Sequence, residues 1–229
     1  MRRAAAAFGL DVRSLRSLGG ASGATWSDGE VVLRVGERVA EEVLAASAAA
    51  ARVPVPRVLG QSDGAVLLEL VPGRPAGALA DPELAAEAGR ACGALHDRLA
   101  GVAAPAGLRE LPGRERNLLH LDLHPFNVLV DDAGEVTAVI DWTNAAAGDP
   151  RLDAARTWSI LTLDPAALAL RAEPGWVALT EAWLDRLPEI PAPARAWACR
   201  FMLADLGKRL DPAALAPVRE ALRRVEGTP

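Results

Sequence analysis

Hydrophobic and polar positions alternate over short stretches in the first third of the chain, a pattern typical of β-strands. The turn signals Asp28-Gly29 and Ser62-Asp63-Gly64 separate these stretches. We predict strands over residues 12–18, 31–35, 58–59 and 65–71. The pattern therefore indicates a small sheet of strands joined by tight turns.

Longer segments favour helices. Residues 37–52 are rich in Ala and Leu, and Val53-Pro-Val-Pro56 ends that segment. Asp81 is typical of an N-cap with Pro82 in the first turn, and apolar residues follow at helical spacing as far as Leu99. The Pro- and Gly-rich residues 101–113 predict a loop. Further helices are predicted near residues 150–163, 174–187, 192–209 and 212–226.

The change from strand to helix patterns predicts two parts. Pro72-Gly73-Arg74-Pro75 is typical of a linker. We expect an N-terminal lobe over residues 1–72 and a C-terminal lobe over residues 73–229. Four tryptophans fall in the predicted helices, where core or cleft-wall positions are favoured, at Trp158, Trp176, Trp183 and Trp197.

Composition narrows the function classes. The chain has 25 basic and 30 acidic residues, which argues against a nucleic-acid partner. The whole net charge of −5 falls in residues 73–172, as a site that gathers Mg²⁺ would favour. Cys92 and Cys199 lack a paired spacing and are expected to be buried thiols. With no signal-like or membrane-length apolar run, we expect a cytoplasmic monomer or weak homodimer without a membrane partner.

The strongest chemical pattern lies in residues 120–153. The apolar runs 127–130 and 136–140 surround a turn rich in Asp and Gly, so a hairpin should bring Asp141 beside Asp122 and Asn127. Phosphoryl transfer needs such a set: one carboxylate to orient and deprotonate a hydroxyl, and an Asn and an Asp to hold magnesium.

At these residues the chain resembles the aminoglycoside phosphotransferase and choline kinase family, distant relatives of protein kinases. The resemblance implies a two-lobed α+β kinase-like fold, with a small antiparallel-sheet lobe and a larger, mainly helical lobe. It also implies that Asp122 is the catalytic base, that Asn127 and Asp141 are metal ligands and that His120 braces the catalytic loop. Trp142 stands at the Phe position of the kinase D-F-G motif. Gly148, Asp149, Pro150 and Asp153 match a further family motif, in which we interpret Asp149 as a helix cap.

The nucleotide side has weaker signals. Residues 19–23 form a Gly-rich turn whose main-chain N–H groups, at Gly20, Ser22 and Gly23, are candidates to cover phosphates. Arg34 follows on the next strand, at the position of the kinase lysine. Both Glu41 and Glu42 qualify as its acidic partner, and comparison with the family spacing favours Glu41. By resemblance, adenine would bind the main chain around Glu69 to Val71.

We therefore expect Mg²⁺-dependent transfer of the γ-phosphoryl group of ATP or GTP to a hydroxyl of a small molecule. Aminoglycosides are the leading acceptor class, and Trp158, Trp176 and Trp183 are candidate apolar surfaces. The segment between His96 and His120 is shorter than in many antibiotic kinases of the family, so the resemblance does not identify the acceptor. Two alternatives remain: a nucleotide-binding or immunity-type protein without turnover, and a zinc hydrolase with His120, Asp122 and His124 as ligands.

Overall fold

A computed structural model of the protein describes residues 1–19 and 24–227. A short helix, α1 (Arg2–Ala7), precedes a five-stranded antiparallel sheet in the order β1-β2-β3-β5-β4. The strands are β1 (Arg16–Ser17), β2 (Thr25–Ser27), β3 (Val31–Val35), β4 (Val58–Ser62) and β5 (Ala65–Glu69). Helix α2 (Val39–Ala49) lies between β3 and β4 in the chain.

The hairpin between β2 and β3 fixes the register of this sheet. The Asp28 side chain accepts hydrogen bonds from the main-chain N–H groups of Glu30 and Val31, at 2.9 and 3.0 Å. This turn places Thr25 opposite Arg34 on the neighbouring strand. Both side chains therefore reach the same part of the molecule.

The predicted strand over residues 12–18 is wrong in extent, because only Arg16–Ser17 pair with β2. The Asp11 side chain accepts a hydrogen bond from Arg13 N, and Ser14 donates two hydrogen bonds to Asp11 O. A turn held by Asp11 thus takes up the first part of this alternating segment.

The rest of the chain is mainly helical. Its longer helices are α3 (Pro82–Leu99), α4 (Pro150–Leu163), α5 (Pro165–Ala169), α6 (Pro174–Leu184), α7 (Ala192–Leu206) and α8 (Ala216–Glu226). Asp81 caps α3 through its side chain, as predicted. At Gly89 of α3, a Cβ atom would meet Leu179 O of α6 at 2.3 Å. The two helix backbones approach so closely there that only glycine fits.

Two small sheets flank the motif residues of segment 120–153. One has the order β10-β9-β6 and the other β7-β11-β8. The strands are β6 (Arg74–Pro75), β7 (Arg109–Glu110), β8 (Asn117–Leu119), β9 (Val128–Val130), β10 (Val136–Val139) and β11 (Ala146–Gly148). The predicted hairpin is present, since β9 and β10 pair antiparallel. Strand β7 lies inside the segment predicted to be a loop, where it pairs in parallel with β11.

The expected fold class is confirmed: an antiparallel sheet is joined to a larger helical region. The main core cluster lies mostly among α2, α3, α6 and the β9–β10 hairpin, and it includes the fully buried Trp183. Both cysteines are buried free thiols, as predicted. Across residues 1–19 and 24–227, no helix has the length and hydropathy needed to cross a bilayer.

Candidate active site

The loop between β8 and β9 contains the motif residues and is held by its own main chain. Asn127 N donates to His124 O at 2.8 Å, and Ile140 N donates to Asn127 O at 2.9 Å. The second bond joins the end of the loop to the residue before Asp141. The hairpin therefore returns Asp141 beside Asn127, as the sequence pattern predicted.

His120 is fully buried and contacts residues on both sides of Asp141. Its Nε2 lies 3.1 Å from Ile140 O, and its ring lies 4.5 Å from that of Trp142. Its Nδ1 accepts a hydrogen bond from Asp122 N at 3.2 Å. Burial lowers the pKa of His120 despite the nearby carboxylates, which favours a neutral ring with its proton on Nε2. His120 thus connects the Asp122 and Asp141 segments.

Asp122 and Asn127 lie side by side. Asn127 Nδ2 donates to Asp122 O at 2.9 Å and lies 3.4 Å from Asp122 Oδ2. These contacts occupy the amide nitrogen and leave the amide oxygen of Asn127 as a potential ligand. The Asp122 side chain is 27% exposed, so an acceptor hydroxyl can reach it.

Asp141 adopts a left-handed conformation with φ of 61°. Such a conformation is strained for a residue other than glycine and is often found at functional sites. Asp141 Oδ1 accepts from Arg34 Nη2 at 2.7 Å and lies 2.5 Å from Thr143 Oγ1. Its side chain is 36% exposed. One carboxylate oxygen is thereby engaged, and the other remains for a cation.

Arg34 is the centre of a network that joins the sheet to the Asp141 loop. Its Nε donates to Glu42 Oε2 at 2.6 Å, and its Nη1 donates to Thr25 Oγ1 at 2.9 Å. Burial alone would lower the pKa of Arg34, but the bond to Glu42 and the charges of Asp141 and Glu42 outweigh it and raise this pKa. Arg34 is therefore a permanent cation at the junction.

The acidic partner of Arg34 is Glu42, and the choice of Glu41 was wrong. Glu42 is buried, whereas Glu41 is only partly buried and lies one residue, about 100°, around α2. Thr143 Oγ1 also contacts Glu42 Oε1, at 2.8 Å. Glu42 thus reaches Arg34 and the Asp141 loop together.

Helix α4 holds the catalytic loop from behind. Asp153 Oδ1 accepts from Leu121 N at 2.6 Å, and Thr157 Oγ1 donates to Leu123 O at 2.8 Å. Leu121 has φ of 62°, so α4 stabilises a second left-handed residue. Burial raises the pKa of Asp153 to about 6, although hydrogen bonds from Leu121 and His120 oppose the shift. The predicted cap is present too, since Asp149 accepts from Arg151 N.

The structure describes only some of the residues that are predicted to bind the nucleotide. Gly20, Ser22 and Gly23 lie outside the described residues. The N–H of Glu69 already donates to Arg57 O, and its carboxylate accepts from Arg57 N and Nε. Val71, two residues further along, is half-buried outside any strand.

The tryptophans are not the surfaces expected for an acceptor. Trp183 is fully buried and Trp176 is 7% exposed, whereas Trp158 is half-buried. The exposed aromatic side chain is Phe126, within the catalytic loop, which stacks on Trp176 with ring centroids 5.9 Å apart.

The geometry argues against zinc at the three candidate ligands. Both ring nitrogens of His120 are engaged, by Ile140 O and by Asp122 N. No cluster of three or more His, Cys, Asp or Glu side chains arranged to hold a metal occurs in the part of the chain that the structure describes.

Comparisons with known proteins show which proteins this chain resembles in sequence and fold. A sequence profile of the family described as "Phosphotransferase enzyme family" matches residues 104–183. The uncharacterized protein YcbJ of Bacillus subtilis (strain 168) is 49% identical over 37 residues. Those residues are 16% of this chain and span only 12% of that protein.

Solved structures are similar over nearly the whole chain. Macrolide 2'-phosphotransferase MphH from Brachybacterium faecium has a TM-score of 0.53 and 20% identity, covering 95% of each chain. Aminoglycoside phosphotransferase APH(4)-Ia has a TM-score of 0.61 and 17% identity, covering 93% of this chain and 92% of its own. A choline/ethanolamine kinase family protein from Mesorhizobium loti has a TM-score of 0.56 and 18% identity, covering 93% and 87%. The fold is that of these phosphotransferases. The resemblance drawn from the sequence is therefore confirmed.

Within this phosphotransferase fold, sequence reasoning missed several residues around the site. Thr25 and Thr143 bind Arg34, and Thr157 and Arg156 bind the catalytic loop. The helical spacing of Asp153, Arg156 and Thr157 places them on one face of α4, which is a signal the sequence does contain. No comparable sequence pattern identifies Thr25 or Thr143.

Proposed function

We propose that the protein is a Mg²⁺-dependent phosphotransferase that moves the γ-phosphoryl group of ATP or GTP to a hydroxyl of a small molecule. This proposal rests mainly on three contacts: Asn127 bonds to Asp122, Asn127 O accepts from the residue before Asp141, and Arg34 bonds to Asp141. A thermostable mutant of APH(4)-Ia, which shares the fold, was solved in ternary complex with AMP-PNP and hygromycin B. That complex supports a nucleotide and a hydroxylated acceptor here.

Asp122 would orient the acceptor hydroxyl and take its proton. As the hydroxyl oxygen bonds to the γ-phosphorus, the bond to the β-γ bridging oxygen breaks and a nucleoside diphosphate leaves. Asp122 suits this role because its carboxylate is partly exposed and its N–H is fixed to His120. A positioned general base contributes roughly a hundred- to ten-thousand-fold in rate.

Asn127 and Asp141 suit Mg²⁺, because each keeps an oxygen that the contacts above do not occupy, and oxygen is the ligand that Mg²⁺ prefers. The ion would neutralise charge on the phosphates. Arg34 Nη1 donates to Thr25, and within the described residues its second N–H is available for a phosphate oxygen. The two sides of the cleft would thus bind one nucleotide together.

The acceptor would be a small hydroxylated metabolite or antibiotic, with aminoglycosides the leading class. The test is a panel of aminoglycosides, other hydroxylated antibiotics, sugars and amino alcohols, scored by nucleotide consumption and by the mass gain of one phosphate. One panel member should gain a phosphate with the wild type and none with Asp122→Asn. A silent panel together with a phosphorylated protein acceptor would contradict the small-molecule proposal.

A further inference from the structure

Two arginines reach the segments that carry Asp122 and Asp141 from the side of α7. Arg156 Nε donates to Leu121 O at 3.2 Å, next to Asp122. Arg109 Nη2 donates to Asn144 O at 2.9 Å, three residues after Asp141. Each guanidinium therefore fixes a carbonyl close to one candidate catalytic carboxylate.

Both guanidinium groups lie against one aromatic ring, that of Phe201 in α7. Arg156 Cζ is 4.5 Å from the ring centroid and Arg109 Cζ is 5.6 Å from it. At these distances the ring quadrupole attracts each cation. Phe201 is thus the one side chain that contacts both arginines in this way among the described residues.

Without the Phe201 ring, placing the Arg109 and Arg156 guanidinium groups next to each other would cost free energy. Arg156 is 3% exposed, and Arg109 Nε is buried without a hydrogen-bond partner in the described part of the chain. Within residues 1–19 and 24–227, no carboxylate oxygen lies within 4.0 Å of either guanidinium. Arg156 is buried and Arg109 is half-buried, and their neighbouring positive charges repel each other, so the ring offsets part of that cost.

We propose that Phe201, Arg109 and Arg156 form a positioning cluster that fixes the Asp122 segment relative to the Asp141 segment. None of the three is a catalytic residue. The effect of this cluster on turnover rests on the proposed function, whereas its effect on the conformational order of the two segments does not.

Hydrogen exchange measured by mass spectrometry on the whole protein tests the cluster without any need for turnover. In Phe201→Leu, peptides spanning residues 119–125 and 141–148 should exchange faster by on the order of tenfold. Phe201→Tyr keeps the ring and should stay within about twofold of the wild type. Arg109→Met should speed exchange in residues 141–148 alone, which also covers the case in which Phe201→Leu does not fold.

The matched control is Trp158→Leu, because Arg195 Cζ lies 5.2 Å from the Trp158 ring and this pair joins the same two helices, α4 and α7. This control should destabilise the fold without selectively speeding exchange in the two segments. If Phe201→Leu left both segments at the wild-type rate, or changed them no more than Trp158→Leu, the cluster would have no positioning role.

Turnover separates the two proposals. Phe201→Leu should lower kcat by on the order of tenfold, because misplacement of reacting groups costs rate, and Phe201→Tyr should keep the wild-type kcat within about twofold. Absence of turnover in the wild-type protein would count against the proposed function. The hydrogen-exchange rates of the two segments would still decide the role of the cluster.

Discussion

The loop that carries Asp122 and the network around Arg34 are stabilised by different kinds of contact. The Asp122 loop is fixed by main-chain carbonyls and amides bonded to buried side chains, such as Leu121 N to Asp153 and Leu123 O to Thr157. Arg34 is instead held by ionic contacts to Glu42 and Asp141. We therefore expect the first region to be rigid before any ligand arrives, and the second to exchange its partners when phosphate and metal bind.

The largest effect is expected on the rigid side. Asp122→Asn should reduce kcat by on the order of a hundred- to ten-thousand-fold and leave nucleotide affinity nearly unchanged, because it removes the base and little else. Steady-state kinetics on the phosphorylated acceptor, with calorimetry for nucleotide, measures both quantities. Full turnover by Asp122→Asn would remove this residue from catalysis.

On the ionic side, Arg34→Ala should reduce kcat/KM for nucleotide by on the order of tenfold to a hundredfold, the range for a lost charge-assisted contact. Arg34→Lys should lose less, because the charge remains although the planar fork is gone. Kinetics at varied nucleotide concentration distinguishes the two variants. Equal values for wild type and both variants would exclude Arg34 from the phosphate site.

Glu42 and Glu41 form a matched pair for the same network. Glu42→Gln should reduce kcat/KM for nucleotide by roughly tenfold, because Arg34 loses a partner at 2.6 Å. Glu41→Gln should change it by less than about twofold, since a surface charge contributes little. Reversed effects in the same assay would show that the network rearranges when nucleotide binds.

A further effect on the rigid side is on acid stability rather than on turnover. His96 is buried, and burial together with the charge of His120 lowers its pKa to about 3. Because the folded state resists protonation, this stabilising term is complete above the ordinary pKa of about 6.5 and is lost as pH falls below it. From pH 6.5 to 5.0, His96 should cost about 2 kcal/mol of unfolding free energy.

Urea denaturation of wild type and His96→Leu at both pH values checks this. The wild type should lose about 2 kcal/mol more than the variant. Asp153, whose pKa is raised to about 6, has the opposite sign: its term is complete below about pH 4 and is lost as pH rises to 6. Asp153 Oδ2 lies 3.9 Å from His96 Nδ1, so His96→Leu also changes the surroundings of Asp153. The comparison is therefore repeated in an Asp153→Asn background, in which residue 153 does not titrate. Parallel pH dependences would show that His96 is not held neutral.

The two regions also differ in how far the sequence predicts them. The apolar runs 127–130 and 136–140 around an Asp- and Gly-rich turn were sufficient to predict the hairpin, because its contacts join residues close in sequence. The Asp81 and Asp149 caps and strand β3 followed from local patterns, whereas the fold class followed from the family resemblance.

Contacts between distant residues were not predictable in this way. Glu41 and Glu42 are adjacent and chemically identical, and only the orientation of α2 against Trp142–Asn144 selects Glu42. Arg34 and Asp141 are 107 residues apart, and the Phe201 contacts join α7 to two loops. The predicted strand over residues 12–18 was wrong in extent because of a local contact rather than a distant one: Asp11 forms a turn there.

The most direct measurement of the central claim is thermal denaturation with and without Mg-ATP or Mg-GTP. A nucleotide bound with a Kd near 100 µM should add roughly 1.4 kcal/mol of stability at millimolar concentration and raise Tm. Asp122→Asn should keep this shift, and Asp141→Ala should lose most of it, because only the second removes a proposed metal ligand. No shift with either nucleotide in the presence of Mg²⁺ would contradict a nucleotide site in this cleft.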